Sequence, residues 1–198
     1  MTCRVVDLTP PRDGGRSEGP DLAAALASEC TSLAVLWHGR ADEADGDPRS
    51  PSGTGPDAAA LIRRSHKPVA FAATGIVEGD ALGIALACDV VLATPACTFR
   101  VGRSGTDLAT LAAAGRSFGR GVARHLALDP SAGISAEEAH AAGVVTRLVP
   151  VDRLLTDSTE LAAAMATAPK FTAVKKIVNL SVDSEVATAL SCCIDRSI

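Results

Sequence analysis

The chain has 198 residues, 47% of them apolar and 21% charged, with a formal net charge of −4. That length fits one domain with a real core, and the composition is that of a globular protein. Aromatics make up only 3%, Tyr is absent and no basic run occurs, which argues against base stacking and against an electrostatic footprint for nucleic acid or an anionic membrane.

Residues 4–8 (RVVDL) read as a short strand, closed by Thr9-Pro10-Pro11 and a Gly-rich stretch. Residues 21–30 hold helix formers, with Asp21 placed to cap them. Residues 33–37 (LAVLW) read as a buried strand, and residues 39–57 turn polar and rich in Gly, Pro and Asp, as a long loop does. Helix resumes over residues 58–64 and Lys67-Pro68 stops it. Residues 69–73 form a second buried strand, residues 81–88 a helix and residues 90–93 a third strand. A helical stretch follows over residues 108–128, interrupted by Gly115, Gly119 and Gly121. Ser135 and Glu138 make a capping box for a helix that ends at Gly143, a C′ glycine. Residues 144–149 read as a strand, and residues 154–168 and 173–190 as terminal helices. Strands alternating with helices argue for an α/β domain with parallel pairing.

Residues 67–89, KPVAFAATGIVEGDALGIALACD, carry a Lys-Pro, an apolar strand, a glycine turn and a helix ending in Leu-Ala-Cys-Asp. With Lys67, Pro68, Gly75, Gly79, Leu86, Ala87, Cys88 and Asp89 on the pattern, this stretch resembles the core segment of the crotonase superfamily (enoyl-CoA hydratase/isomerase-like). Residues 136–150, AEEAHAAGVVTRLVP, resemble that family's later helix-Gly-strand-Pro block. The resemblance runs from about Val5 to the C-terminus of a chain shorter than a typical member, expected to lack the first hairpin and the last C-terminal turns. It implies a crotonase-like spiral of ββα turns with C-terminal helices. Residues 1–150 would form the core, and residues 151–198 a helical region of the same fold. It also implies an acyl-CoA or acyl-carrier thioester as ligand, no cofactor beyond the CoA of the substrate, and a homo-oligomer, commonly a trimer.

A buried strand that turns at small residues into a helix aims the first helical amides at a ligand. In the family two such amides stabilise the oxyanion of a thioester. By resemblance one falls on Asp80, after Gly79. The other falls on Ala44, where ADEADGD is laid over the family's Ala-Phe-Ser/Cys-Ala-Gly-Ala-Asp. Arg49 is then the basic residue on the phosphate side, and Gly79, Arg49 and Arg103 are expected to contact substrate. Asp80 also reads as a carboxylate that complements the helix dipole.

Where hydratases carry two glutamates this chain has Gly83 and Arg103, so a carboxylate pair for hydration is missing. Asp107 stands where isomerase-type members and chlorobenzoyl-CoA dehalogenases hold a catalytic Asp, and equally reads as the N-cap of the helix starting at Leu108. The implied activity is isomerase-type, with decarboxylation or hydrolysis of the same thioester as alternatives. A non-catalytic homologue assisting a partner enzyme is a reading from a different class. His38 and Glu78 flank the pocket loops as surface or supporting residues, His66 is a loop residue, and His125 and His140 are structural.

The six cysteines (Cys3, Cys30, Cys88, Cys97, Cys192, Cys193) form no C-x-x-C pair and none lies at ligand spacing with a His. They read as buried or free thiols, and no metal site is expected. Neither G-x-G-x-x-G, a P-loop nor G-x-S-x-G occurs. With no signal-peptide pattern and no membrane-length apolar run, a cytoplasmic location is expected.

Overall fold

A computed structural model describes residues 2–8, 22–39, 56–101, 108–129 and 131–179. Its elements in chain order are β1 (Cys3–Asp7), α1 (Leu22–Ala27), β2 (Ser32–His38), α2 (Pro56–Arg64), β3 (Val69–Thr74), β4 (Ile76–Glu78) and α3 (Asp80–Ala87). There follow β5 (Val90–Ala93), β6 (Thr98–Arg100), α4 (Leu108–Ser117), α5 (Arg120–Leu128), β7 (Ile134–Ser135), α6 (Ala136–Ala141), β8 (Arg147–Leu148), a 3-10 turn (Val151–Arg153) and α7 (Leu154–Thr167). A last helix, α8, occupies residues 171–179 of the described chain.

Among the described residues the main sheet has five parallel strands in the order β1-β2-β3-β5-β8. Its inner strands are apolar throughout because both faces are covered, as parallel sheets require. On one face Val35, Trp37, Phe71 and Ala73 pack with Ile62, Leu82 and Ile84 of the neighbouring helices. On the other, Leu36, Ala72 and Leu92 meet Leu154 of α7. A second sheet, β4-β6-β7, is absent from the sequence reading. Its strands span only two or three residues, too few to show an alternation. The chain thus winds in repeated turns, β3–β4–α3 and then β5–β6–α4, each with a strand in either sheet and a helix outside.

The capping box at Ser135 is present in full. The C-terminus of α6 closes as expected at Gly143, whose amide donates to His140 O while Val144 N donates to Ala139 O. That cap shortens the strand expected over residues 144–149. Val144 and Val145 spend their amides on Ala139 O, and the ladder to β5 starts only with Thr146 N donating to Val91 O. The single helix expected over residues 108–128 is two, α4 and α5, broken at Phe118-Gly119.

Candidate active site at the strand-end corner

β2 and β3 run parallel and end at the same edge, where Gly39 N donates to Thr74 O at 2.8 Å and Trp37 Nε1 donates to Ile76 O at 2.8 Å. The two backbones touch here: a Cβ on Gly75 would overlap Gly39 O, and one on Gly39 would overlap Ile76 O. Gly75 has φ 74 and its carbonyl accepts from Thr98 N, so the chain swings from the main sheet into the second one at this point. Gly39 therefore lies against the corner that leads through β4 into α3. In sequence Gly39 reads only as the start of a loop, and its close approach to Gly75 is visible only in three dimensions.

β4 delivers the chain to Gly79, which caps α3 at φ 57 and ψ −127 with no side-chain cap bond. The helical ladder begins with Gly83 N donating to Gly79 O at 3.2 Å, so the amides of Asp80, Ala81 and Leu82 precede it. Asp80 is half-buried in the first turn of α3, and the rest of the helix through Ala85 is buried and apolar. A carboxylate in that turn suits the helix dipole, yet it opposes a negative charge forming at the same amides.

Gly83 is buried on α3 and faces α4: a Cβ there would lie 2.6 Å from Thr110 Oγ1. Among the described residues a hydroxyl, not a carboxylate, thus occupies the neighbourhood of Gly83, and nothing in the sequence pattern singles out Thr110. Glu78 stands in register with Arg100 on β6, whose Nε is buried without a hydrogen-bond partner among the described residues. Ala44, Arg49, Arg103 and Asp107 lie outside the described residues. Gly79 and Asp80 lie at the start of α3, separated from the Gly39–Gly75 contact by the three residues of β4.

Away from the corner the polar groups hold structure. His140 Nδ1 lies 2.7 Å from Val145 O, which fits its reading as a structural residue. Cys3, Cys30, Cys88 and Cys97 are free thiols. Burial pushes the Cys97 thiol up to about 12, and it raises Cys88 as well with the Asp89 charge adding to the effect. Neither is an activated nucleophile. Among the described residues no group of three His, Cys, Asp or Glu is placed to hold a metal ion. Asp89, the last residue of the Leu-Ala-Cys-Asp motif, accepts from Val69 N and from Lys175 Nζ of α8, each at 2.8 Å. It is a clamp between the C-terminal helix and the start of β3.

Residues 39–195 match the family model described as enoyl-CoA hydratase/isomerase. The chain belongs to that family. Among curated proteins it is 30% identical over 128 residues to a probable mitochondrial enoyl-CoA hydratase of Dictyostelium discoideum, covering 61% of this chain and 45% of that protein. It is 34% identical over 115 residues to a probable enoyl-CoA hydratase of Mycobacterium tuberculosis, covering 56% of this chain and 40% of the relative. The aligned part thus spans less than half the length of these curated relatives. The crystal structure of a probable enoyl-CoA hydratase from Mycobacterium thermoresistibile superposes with a TM-score of 0.75 at 22% identity, over 97% of this chain and 90% of that one. A monofunctional enoyl-CoA isomerase from M. smegmatis superposes with a TM-score of 0.65 at 24% identity, over 92% and 89% of the two chains. At such identities the structures speak for the fold, which is the crotonase-like α/β spiral with C-terminal helices. Among the described residues, no helix is long and apolar enough to cross a membrane.

Proposed function

We propose that this family member binds an acyl-CoA or acyl-carrier thioester and shifts a double bond by moving one proton, without adding water. The observation that supports this reading is the Gly79–Asp80 turn, which leads the first amides of α3 out ahead of the helical ladder, three residues of β4 beyond the Gly39–Gly75 contact. In the proposed reaction the backbone amides of Ala44 and Asp80 hold the thioester oxygen as the enolate forms. Asp107 takes a proton from one carbon and returns it to another, while the C–H electron pair moves onto the carbonyl oxygen and back. Arg49 is assigned to the phosphate end of the ligand and Arg103 to the substrate, and no cofactor beyond the CoA moiety takes part. Decarboxylation or hydrolysis would use the same enolate frame.

A second reading, a non-catalytic homologue assisting a partner enzyme, is favoured by Asp80 in the amide turn and by Gly83 against Thr110. Two measurements separate them. Calorimetry is expected to show tighter binding of acyl-CoA thioesters than of free CoA, and equal affinities would count against a working pair of amides. Asp107→Asn retains the capping ability of Asp but loses the basic oxygen, so isomerase turnover should fall roughly 10²–10⁴-fold with thioester affinity little changed. Unchanged turnover at a normal melting temperature would remove Asp107 as the base.

A further inference from the structure

At the opposite end of the main sheet, where β2 and β3 begin, an open cavity of about 650 Å³ has Lys67, Lys170, Lys176 and His66 on its wall. None of its described lining residues is acidic, in a chain whose net charge is −4. Lys67 Nζ donates to Ser28 O and lies 3.8 Å from Cys30 Sγ, and no described carboxylate pairs with Lys67, Lys170 or Lys176. Asp89 is already neutralised by buried Lys175, which also donates to Lys67 O at 2.9 Å. That buried pair anchors α8 under the cavity, so the surrounding positive charges sit on a fixed frame. The start of α8 adds to them: Phe171 N and Val174 N find backbone acceptors, whereas the intervening amides of Thr172 and Ala173, both on the cavity wall, have none among the described residues. Phe171, Pro68, Ala166 and Ala168 supply apolar lining.

We propose that this cavity binds a phosphomonoester, with the phosphate among Lys67, Lys170 and Lys176 and its organic part against Phe171 and Pro68. The site is separate from the thioester corner. Lys67-Pro68 precedes β3 and Gly75 follows it, so the six residues of β3 hold the two roughly 20 Å apart at about 3.3 Å per residue.

The probe is phenyl phosphate, titrated into the intact protein by calorimetry at low and at moderate salt. Binding is expected to weaken with salt, to exceed that of inorganic phosphate, and to drop at least tenfold in a Lys170→Gln/Lys176→Gln double variant. Both side chains are exposed, so this variant is expected to keep its melting temperature. Saturating dephospho-CoA, which keeps the pantetheine and diphosphate of CoA but lacks its phosphomonoester, should leave the phenyl phosphate affinity unchanged. Displacement by dephospho-CoA would mean that the cation cluster belongs to the thioester ligand and would overturn a separate site. Absence of binding at millimolar probe, or unchanged affinity in a normally folded double variant, would overturn the site outright. None of these readouts depends on turnover, so a failure here is distinguishable from a failure of the isomerase reading.

Discussion

Lys175 is 6% exposed and has the Asp89 carboxylate as its counter-charge, on a helix 86 residues further along the chain. Burial is the larger influence on Asp89 and raises its carboxyl, with Lys175 opposing. The pair therefore serves to join two segments more than to add net stability. Asp89→Asn leaves a buried ammonium without a counter-charge and is expected to cost about 3–5 kcal/mol in urea unfolding. Replacing both, Asp89→Leu with Lys175→Met, should recover only part of that loss, because Val69 N and Lys67 O then lose the partners they have in the pair. A normal midpoint in the single variant would show that the pair is not desolvated. The motif residues Cys88-Asp89 are legible in sequence as a family mark. The role of Asp89 is not, because its partner is identified only by folding. Cys97 makes a simpler case: with its thiol pushed up to about 12, only roughly one molecule in ten thousand carries the thiolate at pH 8. Iodoacetamide at that pH should leave Cys97 unmodified in folded protein and label it in urea, as read by peptide mass spectrometry.

The joint between β3, β4 and α3 depends on two glycines for different reasons. Gly79 has φ 57, but a Cβ there would meet nothing within 4 Å, so Gly79→Ala meets backbone strain alone, of about 1–3 kcal/mol. Gly75 has φ 74 and a side chain there would also overlap Gly39 O, so Gly75→Ala must move one strand end off the other. Gly75→Ala is expected to lower the unfolding midpoint clearly more than Gly79→Ala, and equal losses would mean that the Gly39–Gly75 contact yields easily. Elements of this kind differ in how far the sequence shows them. The capping box of α6 is written in four adjacent residues, and Ser135→Ala should cost about 1 kcal/mol. The three short strands of the second sheet have no such local mark. They exist because Gly75 O and Cys97 O find partners in Thr98 N and Ala136 N across the fold.

For the whole molecule, the absence of a glutamate at Gly83 and at Arg103 predicts that crotonyl-CoA is not hydrated at ordinary enzymatic rates, about 1–10³ per second. A coupled absorbance assay checks this, and turnover in that range would show that other groups orient the water. The homo-oligomer implied by resemblance has a candidate contact in Val174 and Ile177 of α8, which are 57% and 68% exposed at helical spacing. Light scattering is expected to give a multiple of the chain mass, and Ile177→Glu to lower it. A monomer in both proteins would remove α8 as the contact. By itself the sequence determined the alternation of strands and helices, the caps of α6 and the family, since these rest on periodicities and motifs spanning at most a few tens of residues. The tertiary structure alone decided that Gly39 lies on Gly75, that Gly83 meets Thr110 and that Lys175 reaches Asp89. These contacts join segments far apart in the chain, and their geometry exists only once the sheet and its helices have packed.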